Sequence, residues 1–351
     1  MRALLNLILF ISNLVAQQFP TPKIEYNPKT YLCFKTDELI LIDGKIDEAT
    51  WESAPWTDSF VDIEGNLKPA PFFETKVKML WDDNYFYFGA FLEEPHIWAT
   101  LEARDAVIFR DNDFEIFLDP DGDTHNYYEL EINALETEWD LLILKPYRDQ
   151  GKVAVDSWDI PGLVSKVAID GTLNNSNDRD KSWSLEIAIP WKALEECAPN
   201  FHPKDGEQWK VNFSRVQWDV EILNNQYVKT DLPEFNWVWS PQGLINMHYP
   251  EMWGLVQFTE RKNPDESIEF NFPVLDQIKW ALRQIYYRER TYFGSYNRFT
   301  ESLKELELVD TPQENVPWPP NLQLTPSGWE AYIESGGQKI FIRKDGKVWV
   351  E

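Results

Sequence analysis

Glu115, Glu129 and Glu131 fall in two stretches, Phe114 to Leu118 and Tyr127 to Asn133, whose residues alternate between apolar and polar. In an extended chain successive side chains point to opposite faces. Phe114, Ile116 and Leu118 then share one face, with Glu115 on the other. Tyr128, Leu130 and Ile132 share one face, with Tyr127, Glu129, Glu131 and Asn133 opposite. Such a sheet keeps its apolar back in a core and offers carboxylates in front to a polar ligand. The join carries Asp119, Asp121 and Asp123 around Gly122, alternating hard oxygen donors of the kind calcium takes. The alternative is a solvated turn, and the spacing is not that of an EF-hand.

Other chemistry is thinly represented. There is no GxSxG elbow, HExxH, CxxC pair or glycine-rich phosphate loop, and His96, His125, His202 and His248 are scattered. Histidine-based catalysis is therefore excluded as a leading reading, whereas hydrolysis by a pair of carboxylates stays open as the enzymatic alternative. Trp218, Trp237, Trp239 and His248 come late in the chain and could supply flat ring surface; the competing role for each Trp is core packing. For Glu115 the competing role is a salt bridge with Arg110 or Arg215.

The elements that must position these groups are short. Strands are expected at Leu39 to Ile42, Glu74 to Trp81, Tyr85 to Phe91, Phe114 to Leu118, Tyr127 to Asn133, Thr137 to Leu144, Val164 to Ile169, Trp183 to Ile189, Val211 to Trp218, Asn236 to Trp239 and Trp253 to Phe258. Gly, Asp, Asn or Pro punctuates the joins. Asp82, Asp83 and Asn84 read as a hairpin turn. This rhythm predicts an all-β fold, a two-sheet antiparallel, immunoglobulin-like β-sandwich over 39–260, preceded by a lead-in strap at 17–38. A small α+β extension is expected over 261–351. Ile278, Ala281, Leu282, Ile285, Leu303 and Leu306 recur at helical spacing, predicting a long helix and a short second one separated near Gly294. Three short strands follow, at Gly328 to Glu334, Gln338 to Arg343 and Lys347 to Val350.

With 351 residues and a net charge of −26, the chain is a poor partner for nucleic acid or an anionic bilayer, both of which need Lys and Arg to displace counterions. Trp outnumbers Gly, 17 to 15, so some rings are expected on the surface for contact. Met1 to Ala16 pairs one positive charge with a short apolar run and reads as a secretory signal cut after Ala16, an uncleaved anchor being the alternative. No other segment is long and apolar enough to cross a membrane. The expected location is secreted, periplasmic or cell-surface. Cys33 and Cys197 are the only cysteines, and sequence leaves a disulfide and two buried thiols equally open.

Several ordered motifs resemble the family-nine carbohydrate-binding modules: IDGKIDEATWESAPW at Ile42 to Trp56, VKMLWDDNYFYFGAF at Val77 to Phe91, DNDFEIFLDP at Asp111 to Pro120, WSLEIAIPWKAL at Trp183 to Leu194, and HYPEMWG at His248 to Gly254. The resemblance spans about Leu39 to Thr259. It implies a noncatalytic β-sandwich that grips a neutral poly- or oligosaccharide between aromatic rings, often near bound calcium, and so assists carbohydrate catabolism. By the family's spacing, Phe109 is the first aromatic clamp and Glu115 the carboxylate six residues on. Glu131 occupies the place nearest the family's sugar-binding Arg. Met247, His248 and Tyr249 stand where a second clamp is expected. The candidate carbohydrate-binding set is thus Phe109, Arg110, Glu115, Glu131, Trp218, Trp237, Trp239 and His248, with Asp119, Asp121 and Asp123 as candidate calcium ligands. The C-terminal extension either packs on its own hairpin or holds a protein partner.

Overall fold

The structure, a computed structural model, describes residues 18–149, 151–262, 264 and 270–351. The candidate signal Met1 to Ala16 lies outside them. Two compact units form, one from Thr21–Asp276 with Lys347–Trp349, the other from Gln277–Gly346 with 18–20 and Val350–Glu351.

Thr21–Asp276 of the larger unit holds fifteen strands among its described residues. They are β1 (Thr30–Lys35), β2 (Val61–Asp62), β3 (Thr75–Trp81), β4 (Tyr85–Glu93), β5 (Asp113–Asp119), β6 (Tyr127–Asn133), β7 (Glu138–Ile143), β8 (Ala154–Val155), β9 (Val164–Asp170), β10 (Ser182–Pro190), β11 (Gln208–Gln217), β12 (Val220–Leu223), β13 (Gln226–Lys229), β14 (Phe235–Val238) and β15 (Gly254–Thr259). Apart from the β12–β13 hairpin they form one hydrogen-bonded path, β8-β7-β6-β5-β11-β15-β1-β3-β4-β10-β9, with β14 pairing β11 and β2.

This path curls back on itself. β4 lies four strands from β11, roughly 19 Å away in a flat sheet. Yet the rings of Phe88 on β4 and Phe213 on β11 are 5.8 Å apart. Between the two layers lie Phe86, Phe114, Ile116, Tyr128, Leu130, Trp183, Trp191, Trp209 and Phe258, all buried. Two separate, wholly antiparallel sheets were expected. The difference lies in β1, which pairs in parallel with both β15 and β3 and joins the layers into one. β1 falls inside the segment expected to be a strap. Conversely, Leu39 to Ile42 is irregular, with Leu39 and Leu41 exposed.

The recurring motifs have structural causes. In IDGK, Gly44 has φ +91° and a Cβ there would lie 2.6 Å from the Val167–Ala168 backbone. The amides of Asp43 and Gly44 and the indole of Trp51 all donate to Glu186 of β10, at 2.8–2.9 Å. Gly254 lets the Trp239 ring lie on the backbone, where a Cβ would stand 2.3 Å from it. Cys33 and Cys197 are both free thiols.

In the smaller unit, α1 (Val274–Tyr296) buries Ile278, Ala281, Leu282, Ile285 and Tyr286, one face at helical spacing. It runs through Gly294 without a break, and the expected second helix is a series of turns. Gly costs a helix only about 1 kcal/mol. β16 (Asn321–Thr325), β17 (Gly328–Ser335) and β18 (Gln338–Arg343) pair in antiparallel order, and β16 was missed by sequence reasoning.

Candidate functional site

On β5, β6 and β11 one face enters the core and the other stays polar. Register places Glu115 opposite Glu131 and Phe117 opposite Glu129, with Ser214 of β11 on the far side of Glu115. On β7, Trp139 stands beside Glu131 and Leu141 beside Glu129. Glu115, Phe117, Glu129, Glu131, Trp139 and Leu141, with Phe109, Tyr147, Asn236, Met247 and His248, line a cleft of about 420 Å³.

Aromatic surface bounds the acids along β6. Phe109 and Trp139 have ring centroids 6.5 Å apart near Glu131. Tyr147 and His248 meet edge to face at 4.4 Å, and His248 Nδ1 is 2.9 Å from the hydroxyl of Tyr127. Residues 127 and 131 of one strand are about 13 Å apart. The cleft therefore offers rings at each end and carboxyls between.

The carboxyls are buried and close. Asp113, Glu115 and Glu131 bring oxygens within 4.8 Å of one another. Burial pushes the Glu115 carboxyl up to about 7, against a bond from the Ser214 hydroxyl that lowers it. Burial, then the charge of Glu115, holds Glu129 well above the usual range. Burial and the neighbouring acids do the same to Glu131, whose Oε2 accepts the Phe109 amide at 2.9 Å. Glu129 Oε2 and Asp113 Oδ2 are buried without a hydrogen-bond partner among the described residues. His248 is pushed down to about 3 by burial and by Arg148, so its imidazole is neutral.

Of the eight candidate binding residues, Phe109, Glu115, Glu131 and His248 share this cleft. Phe109 is 38% exposed. Trp218 sits behind it, its indole donating to the Phe109 carbonyl at 2.9 Å and its ring covered by Lys229 at 3.8 Å. Arg110 is exposed and offers its carbonyl to Lys229. Trp237 and Trp239 are corrections. Both are buried on the core face, Trp237 against Phe72 and the Arg215 guanidinium, Trp239 against Phe213. Register explains this, since Trp237 pairs with Arg215, on the opposite face from Ser214. Arg215 bonds Glu94 at 2.9 Å, not Glu115. Sequence reasoning did not single out Asp113, Phe117, Trp139 or Tyr147 as site residues. Strand alternation alone could have found Asp113 and Phe117, two residues either side of Glu115.

In the aspartate loop, the Asp119 carboxylate accepts the amides of Gly122 and Thr124, and Asp123 accepts that of His125. Oxygens of Asp119, Asp121 and Asp123 lie within 4.8 Å of one another. Lys347 reaches Asp123 at 2.7 Å and supplies part of the countercharge.

Residues 42–208 match the family described as carbohydrate family 9 binding domain-like. No curated protein matches the chain. Similar solved structures include a family 9 carbohydrate-binding module from Caldicellulosiruptor kristjanssonii in complex with cellotriose, 17% identical with TM-score 0.44, covering 70% of this chain and all of that one. A Bacteroides uniformis ATCC 8492 protein described as carbohydrate-binding is also 17% identical, with TM-score 0.47, covering 66% of this chain and all of that one.

Proposed function

From the premise that residues 42–208 are a domain of the carbohydrate family 9 binding type, we propose that this chain binds carbohydrate in the Glu115–Glu131 cleft and does not cleave it. One observation carries the reading: aromatic faces and buried carboxyls converge in a single open cleft. A sugar ring has an apolar C–H face, which rings cover, and a rim of hydroxyls, which carboxyls bind by hydrogen bonds. The ligand is a plant-type poly- or oligosaccharide and the protein assists its catabolism from a secreted or cell-surface position. Affinity is modest, micromolar to millimolar, about −8 to −4 kcal/mol. Calorimetric titration of the chain with soluble oligosaccharides, or a glycan array, tests it. No binding at millimolar sugar sinks the reading. Reducing-sugar release from xylan, cellulose or mannan, lost in Glu115→Gln, replaces it with hydrolysis.

The aspartate loop is proposed as a calcium position. Its donors are hard carboxylate oxygens, and Asp119 is held in place by two loop amides.

A further inference from the structure

Resting on the carbohydrate reading, we propose that the cleft selects sugars bearing a protonated amine over their neutral hydroxyl counterparts. Glu115 on β5, Glu129 and Glu131 on β6 and Glu234 line it, and Asp113, fully buried, brings an oxygen within 4.8 Å of those of Glu115 and Glu131. Among the described residues, no Lys or Arg lines the cleft. Arg148, whose charge reaches His248, is engaged by Glu251 at 2.9 Å and by the Tyr249 ring at 4.2 Å.

Donor and acceptor counts point the same way. A hydroxyl gives one hydrogen and presents lone pairs that need donors of their own, whereas an ammonium gives three hydrogens and needs no donor in return. The centre of this cleft is rich in acceptors. Glu129 Oε2 and Asp113 Oδ2, on side chains more than nine-tenths buried, have no partner among the described residues. Glu129 itself lines the cleft. Buried acceptors left unpaired are costly, and crowded carboxylates repel each other. A bound cation relieves both at once, while a neutral sugar relieves only the first.

Three trisaccharides with the same β-1,4 linkage separate the possibilities: tri-glucosamine, cellotriose and tri-N-acetylglucosamine. They are titrated calorimetrically into the full chain, freed of metal with a chelator, at about pH 7, where such an amine and the Glu115 carboxyl, raised to about 7, are both partly ionised. Tri-glucosamine is expected to bind about tenfold tighter than either neutral ligand. In Glu129→Gln that advantage is expected to shrink several-fold. Cellotriose binding as tightly as tri-glucosamine overturns the inference and leaves the carbohydrate reading standing. An advantage that survives intact in Glu129→Gln belongs to the −26 charge of the whole chain and also overturns it. If none of the three binds, the carbohydrate reading fails, and this inference with it.

Discussion

Glu115 and Glu131 stand directly opposite each other on adjacent strands, both on the cleft face. Like charges so placed destabilise a sheet, and burial adds to the penalty. The folded-state carboxyl of Glu115 is raised to about 7, and those of Glu129 and Glu131 well above the ordinary range. The native state thus holds protons that the unfolded chain has already released between about pH 4.5 and 7. Stability from this site is complete below that window and is lost as pH rises through it. Thermal melts are expected to show a falling melting temperature from about pH 5 to 8. Glu115→Gln should flatten the slope and recover on the order of 3 kcal/mol at pH 8. A residual slope remains, because Glu129 and Glu131 stay raised and burial also raises Glu186 and Glu289 to about 7.

Phe109→Ala separates binding from folding. The ring is 38% exposed, so the melting temperature should barely move. Sugar affinity should fall by about 1–2 kcal/mol, roughly five- to thirtyfold. Unchanged affinity would remove Phe109 from the site.

Trp239→Ala should do the reverse. Its ring lies on the Gly254 backbone and beside Phe213, and truncation leaves a core cavity costing about 3–5 kcal/mol. The denaturant midpoint reports it. A midpoint near that of the parent protein would contradict the core placement.

Calcium at the aspartate loop should raise the melting temperature at millimolar concentration, and Asp121→Asn should abolish the rise. A melt indifferent to both calcium and chelator would assign the loop to its own amides and Lys347 alone.

Much of the front face was legible because alternation is local. Phe114 to Leu118 and Tyr127 to Asn133 announce which residues face the core, and the structure agrees. What escaped depends on partners far along the chain. Trp139 enters the cleft because it pairs with Glu131, and Trp237 leaves it because it pairs with Arg215. Neither register is written in the strand itself. TYLCFK at Thr30–Lys35 was hidden for the same reason, since its neighbours in the sheet are Leu255–Thr259 and Leu80–Trp81. Gly294 was overread as a helix break, a weak local preference that the buried face of α1 overrides.

The position of β1 bears on how the molecule is made. Among the described residues it is the only strand whose ladder ties β3, β4, β10 and β9 to the rest of the sheet. Among the described residues it comes first in chain order, and one of its two neighbours, β15, begins only at Gly254. The layers cannot be stitched until synthesis has passed Thr259, so closure is a late, long-range event. Until then, the seam is an open strand edge, and a nascent chain cut short before β15 is an aggregation hazard.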